Sequence, residues 1–194
     1  MYFGLKKLGC KVVWSIKNFE LPEENPNFHV GPWMPQIEVL AHPACKAGLG
    51  HCGFGATLEF TSMGIPIVAW PHFEDQHPNA EMLVNEKKVA VMLCNIKRHT
   101  SDLDKMYSYI DPAFDDNKVY EVFKEVTTNP IYKQNVMKMK EYVSLTGGSA
   151  LACKTIEDVA NHGSDHLVDV HLTKAWDSLS FCKCCWFFLV LIAI

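Results

Sequence analysis

An α/β fold is expected: a Rossmann-like parallel sheet flanked by helices, followed by a hydrophobic helix at the C-terminal end. Three observations predict it. Short β-branched or apolar runs alternate with helix-length stretches over residues 11–93, the rhythm of βαβ units joined by right-handed crossovers. Gly31-Pro32, His42-Pro43 and Gly64-Ile65-Pro66 punctuate that rhythm, as breaks between elements do. Three polar clusters, at residues 33–36, 51–59 and 75–76, begin where a predicted strand ends. Open α/β sheets bind ligands there, beyond the carboxyl ends of their strands.

Taken in order, residues 5–8 form the end of a helix closed by Gly9, so upstream sequence is expected. Residues 11–16 are a β-branched strand, residues 21–26 an acidic loop with two prolines, and residues 28–30 a second strand. A short helix runs from Pro35 to Leu40. Residues 45–50 are the next strand, the turn follows at 51–53, and a helix occupies 57–63 up to Gly64. Residues 65–70 are an apolar strand with Pro66 near its start, where the missing donor is tolerated. A helix at 80–85, a strand at 89–93 and amphipathic helices at 119–126 and 132–142 come next, the last two separated by Asn129-Pro130. Residues 150–159 are the final helix before the tail.

The length of 194 residues suits one domain with an appendage. Hydrophobic residues at 48% and charged ones at 21% describe a globular chain. A net charge of −4 provides no basic footprint, so no nucleic-acid partner is expected. Of the eight cysteines, Cys10, Cys45, Cys52, Cys94 and Cys153 are scattered singly and only Cys182, Cys184 and Cys185 of the tail cluster, which argues against a zinc ribbon or a disulfide framework. His162, His166 and His171 are the alternative metal ligands, but Gly163 interrupts a helical histidine pair, and no metal is expected.

The tail differs in kind: from Cys184 to Ile194 it carries no charge and no helix breaker. A full span takes roughly 20 apolar residues, so an incomplete membrane anchor is expected at 181–194. A helix packed on the domain, or acylation at Cys182, Cys184 and Cys185, are the alternatives. The expected domains are a binding domain at 1–160, a linker at 161–180 and the anchor.

The clusters carry the chemistry. His51-Cys52-Gly53-Phe54-Gly55-Ala56-Thr57 lies between a strand and a helix, a phosphate-binding arrangement. Gly53 and Gly55 are expected to allow close approach and positive φ, and the helix start to direct N–H groups at an anion. Glu59 is ordinarily a solvated acid, yet at a nucleotide site it accepts ribose hydroxyls. Trp33 is ordinarily core, yet beside the Gln36 amide it makes a stacking platform for a base. Asp75 and Gln76 either cap a helix or bind sugar hydroxyls. Together these residues describe a nucleotide-sugar site.

Residues 33–76 resemble the signature segment of the UDP-glycosyltransferases, the glucuronosyl- and glucosyltransferases with two Rossmann domains of the GT-B type. The likeness continues through Asn79-Ala80, Asn129-Pro130-x-Tyr132-Lys133 and Ile156-Glu157-x-Val159, and then His162-Gly163 and His166-Leu167. The tail falls where membrane-bound members carry their single transmembrane helix. The resemblance implies the C-terminal, donor-binding half of the fold, without the first strand of that domain. By position it implies uracil stacked on Trp33 and its edge read by Gln36. It implies diphosphate held by His51 and the backbone from Gly53 to Thr57, ribose on Glu59, and sugar hydroxyls on Asp75 and Gln76 with Phe54 lining their pocket.

The implied activity is transfer of a glucosyl or glucuronosyl group from a UDP-sugar to a small lipophilic acceptor by inverting displacement. No cofactor is implied beyond the UDP-sugar co-substrate. No catalytic residue of this chain is implied, because the family's general base lies in the N-terminal acceptor domain. A non-catalytic UDP-sugar-binding or partner-modulating role is the alternative. A homo- or hetero-oligomer and a single-pass endoplasmic reticulum location complete the expectations. Gly55-Ala56 departs from the Asn-Ser of many members, removing two side-chain contacts. Thr57 offers a replacement hydroxyl, as in sterol glycosyltransferase relatives. Gly48 and Gly50 stand where bulkier residues are usual, each at a cost of roughly 0.5–1 kcal/mol.

Overall fold

The computed structural model describes residues 1–97, 109–111 and 114–167. Residues 1–146 form one compact unit and 147–194 a second. The expected anchor at 181–194, His171 and most of the linker lie outside the described residues.

In the first unit, helix α1 (Tyr2–Lys6) leads to Gly9, whose φ of 66° makes the turn that a side chain would strain. Strands β1 (Val12–Ser15) and β2 (Phe28–Gly31) pair in parallel, Val12 opposite Phe28. Helix α2 (Gln36–Ala41) follows, then β3 (Gly48–Gly50), α3 (Phe54–Met63), β4 (Ile67–Ala69) and α4 (Gln76–Glu81). A π-helical turn over Met82–Glu86 extends α4 and leads into β5 (Ala90–Met92). Strands β3, β4 and β5 form a parallel ladder in that order, separate from the β1–β2 ladder. An antiparallel pair, β6 (Asn95–Lys97) with β7 (Tyr109–Asp111), was not expected from the sequence. Helices α5 (Asp116–Thr128) and α6 (Pro130–Leu145) complete the unit. Asp115 caps α5 at Lys118 N–H, and Asn129 caps α6 with Pro130 in its first turn.

The strand period of two builds two cores. On β4, Ile67 and Ala69 join Leu40, Phe60, Leu83 and Val136, while Val68 points the other way to Leu5, Leu93, Val119 and Val122. β4 is fully buried and correspondingly apolar throughout. The glycines of β3 are not vacant positions. A Cβ on Gly48 would meet the Phe60 ring at 2.5 Å, and one on Gly50 would meet it at 3.3 Å. The aromatic side chain of α3 takes the space that bulkier strand residues would fill.

The elements expected from sequence are present with shifted ends. The helix expected at 57–63 begins three residues earlier, at Phe54, and the one expected at 80–85 begins at Gln76. The strand expected at 45–50 is confined to its last three residues.

In the second unit, helix α7 (Gly148–His162) starts after Gly147, at φ 76°, and ends at Gly163, at φ 80°. A 3₁₀ turn follows over Asp165–Leu167.

Candidate functional site

Three strand ends carry the site. β2 delivers Trp33, which is 75% exposed, and the start of α2. β3 delivers His51 and the turn into α3, and β4 delivers the loop to Asp75. In the β3–β4 register Gly50 faces Ala69, and Trp70 N–H donates to Gly50 O at 2.9 Å. The loops after β3 and β4 therefore start side by side.

Gln36 and Glu59 meet. The Gln36 Nε2 donates to Glu59 Oε2 at 2.6 Å, joining the start of α2 to the middle of α3. Sequence reasoning put the amide on a base edge and the carboxylate on a ribose, whereas the structure makes them one polar unit. The side chains are separated by 23 positions in sequence, which is why no local pattern announced the pair.

The turn at 51–53 does not have the expected backbone. Gly53 lies at φ −63°, and Gly55 lies within the first turn of α3. Neither is among the glycines at positive φ; the left-handed residue is Cys52, at φ 63°. The helix starts three residues earlier than expected, so both glycines take ordinary extended or helical angles. What Gly53 provides is space, because a Cβ there would lie 2.6 Å from His51 Nε2. At Gly55 a Cβ would meet nothing within 4 Å.

Helix α3 opens without a side-chain cap and without an acidic residue in its first turn. Its leading N–H groups lack the usual cap and face the turn with roughly half a positive charge of helix dipole. Phe54, 69% exposed, stands at that end. Ala56 is half-buried, and Thr57 N–H donates to Gly53 O at 2.9 Å. The Thr57 hydroxyl is buried with no hydrogen-bond partner among the described residues.

Asp75 occupies the N-cap position of α4 but makes no cap bond. Its Oδ2 accepts instead from Asn79 Nδ2 at 3.1 Å, and the same nitrogen donates to Cys52 O at 3.0 Å. Gln76 is buried, and its Oε1 accepts from the N–H of His72 at 2.9 Å and of Phe73 at 3.4 Å. Neither Asn79 nor His72 was among the expected site residues. The spacing of four from Asp75 to Asn79 on a helix was the available signal for the first.

Burial of the Cys52 side chain, with the neighbouring Cys94 adding to the effect, pushes its thiol up to about 12. His72 packs its ring on Trp70 at 4.6 Å. Its pKa is lowered by burial, with His51 and His77 adding to the effect. Among the described residues no group of three His, Cys, Asp or Glu side chains is arranged to hold a metal ion.

The family described as UDP-glucoronosyl and UDP-glucosyl transferase matches residues 2–143. The chain belongs to it. Among the family's characterised members, a flavonol 3-O-glucosyltransferase of Arabidopsis thaliana is 38% identical over 105 residues, 46% of this chain and 22% of its own length. An anthocyanidin 5,3-O-glucosyltransferase of a Rosa hybrid cultivar is 29% identical over 172 residues, 78% of this chain and 35% of its own. The structure of Medicago truncatula UGT71G1 complexed with UDP-glucose aligns with a TM-score of 0.58 at 29% identity, covering 80% of this chain and 35% of that one. The chain thus spans about a third or less of the length of these members. Its fold is that of the GT-B glycosyltransferases, α/β with parallel sheets flanked by helices.

One expectation is overturned. The single-pass location in the endoplasmic reticulum membrane does not stand, because the family members matched are plant glycosyltransferases. No helix among the described residues is long and apolar enough to cross a membrane. The longest, α6, has 16 residues. It carries Lys133, Lys138, Lys140 and Glu141.

Proposed function

We propose that this chain is the donor-binding half of a UDP-glycosyltransferase that transfers a hexosyl group, glucosyl or glucuronosyl, to a small lipophilic acceptor. The names of the matched plant enzymes favour glucose as the sugar and a flavonoid-like acceptor. The observation that carries the reading is the Gln36–Glu59 pair beside exposed Trp33, together with the uncapped start of α3.

In this reading uracil stacks on Trp33, and the Gln36–Glu59 pair receives the ribose face of the nucleotide. His51 and the N–H groups from Gly53 to Thr57 hold the diphosphate. Gly55 and Ala56 contribute backbone alone. Asp75 binds sugar hydroxyls, with Gln76 supplying only its amide nitrogen because its oxygen already holds the loop, and Phe54 lines the pocket. The acceptor oxygen bonds to the anomeric carbon as the bond from that carbon to the phosphate oxygen breaks, with inversion. The electron pair leaves on UDP, and the acceptor proton passes to a base supplied outside the donor domain, here residues 1–160. Donors fixed at a leaving group contribute about 10²–10³ in rate each.

Calorimetric titration with UDP, uridine and UDP-glucose tests the reading. Binding of UDP much tighter than uridine is expected. No heat and no tryptophan fluorescence change at millimolar UDP would overturn it.

A further inference from the structure

We propose that Asn79 is a positioning residue that locks the phosphate turn to the sugar-binding acid, so that donor affinity and sugar discrimination are set together. The inference rests on the donor-site reading above and adds a residue that touches neither ligand. An amide nitrogen carries two hydrogens. Those of Asn79 go to Cys52 O at 3.0 Å and to Asp75 Oδ2 at 3.1 Å. One side chain on α4 therefore reaches back 27 positions to the turn and four to the acid.

The bond to Cys52 has a consequence for the turn. Cys52 is a non-glycine residue in the left-handed region, at φ 63°, a conformation that costs on the order of 1–2 kcal/mol without support. Its thiol, buried against the backbone, reaches Gly50 O at 3.7 Å. In a planar trans peptide the carbonyl and the next N–H point in opposite directions. Fixing Cys52 O on Asn79 therefore turns the Gly53 N–H away from Asn79. The same amide commits one carboxylate oxygen of Asp75, which fixes the orientation of the other. Removing Asn79 frees the peptide to rotate and the acid to reorient in one step.

The test uses the whole chain. Asn79→Ala is expected to weaken UDP about tenfold and to reduce the preference for UDP-glucose over UDP. In an Asp75→Ala background the effect on that preference should vanish, because the acid it orients is gone. Independently of any ligand, the amide resonances of residues 53–56 should shift in unliganded Asn79→Ala. Should Asn79→Ala fail to fold, Asn79→Asp, which keeps the shape but loses both donors, is held to the same outcomes. Affinities for UDP and UDP-glucose within twofold of the parent, with unshifted turn amides, overturn the proposal. If the parent chain binds no UDP, the donor-site reading fails, and the amide shifts still decide whether Asn79 holds the turn.

Discussion

Gln36 and Glu59 are joined by a 2.6 Å hydrogen bond, so two side chains expected to contact different parts of a nucleotide act as one unit. A bond to an ionised carboxylate contributes about 1.5–3 kcal/mol. Under the proposed donor site, Glu59→Ala removes the carboxylate that accepts from the ribose, and it also releases the Gln36 amide. UDP affinity should fall by roughly tenfold or more, and the variant should bind 2′-deoxy-UDP as well as UDP. Gln36→Ala should produce a smaller loss, with effects that do not add to those of Glu59→Ala. Calorimetry on the four proteins checks both statements, and additive losses would separate the pair.

His51 is expected to serve the diphosphate rather than the nucleoside. His51→Ala should therefore weaken UDP strongly while leaving uridine binding within twofold. Equal losses for the two ligands would assign the imidazole a structural role.

Gly53 reaches the same site by another route. Its φ of −63° is open to any residue, so Gly53→Ala should melt close to the parent. The new Cβ would displace the His51 ring, which lies 2.6 Å from its position. The loss in UDP affinity should match that of His51→Ala, and the double variant should lose no more than either single one. Binding unchanged in Gly53→Ala would show that the ring position does not matter.

The thiol of Cys52, buried and pushed up to about 12, makes a prediction in alkaline solution. In the unfolded chain the thiol ionises near 9.0. Between these values the unfolded state releases a proton that the folded state retains, so stability falls as pH rises from about 9 to about 12. Urea unfolding at pH 8 and pH 10 should show this loss in the parent and a smaller one in Cys52→Ala. Alanine shares the strain at φ 63° but has no proton to lose. At pH 8, iodoacetamide should modify the exposed Cys10 and Cys153 well before Cys52.

The strands and their ends were legible because burial on both faces of β4 demands an apolar run, and Gly and Pro mark where it stops. The place of the turn between β3 and α3 was legible for the same reason, since a strand, two glycines and a helix have few arrangements. Its dihedral angles were not: α3 starts three residues earlier than expected, at Phe54, and its Phe60 packs over Gly48 and Gly50, a contact made only after folding. The Asn79 tether and the Gln36–Glu59 pair were hidden because tertiary hydrogen bonds leave little mark in local sequence. The antiparallel pair of β6 and β7 was missed because each strand has a single aliphatic residue, Ile96 or Ile110, where β4 is an unbroken apolar run.

Gly55 is the position where stability and binding should separate. It lies in the first turn of α3 at an ordinary helical angle, and a Cβ there would meet nothing within 4 Å. Glycine in a helix is less favourable than alanine by about 0.5–1 kcal/mol. Gly55→Ala should therefore stabilise the chain by about 0.5 kcal/mol, near the lower end of that range because the residue is close to the terminus. Its N–H remains in place, so a diphosphate held by backbone donors should bind UDP within twofold of the parent. Urea unfolding and UDP titration of one variant measure both quantities. A stabilised protein that no longer binds UDP would mean that the phosphate approaches Gly55 Cα too closely for a methyl group. The turn would then depend on glycine for approach rather than on helix N–H groups alone.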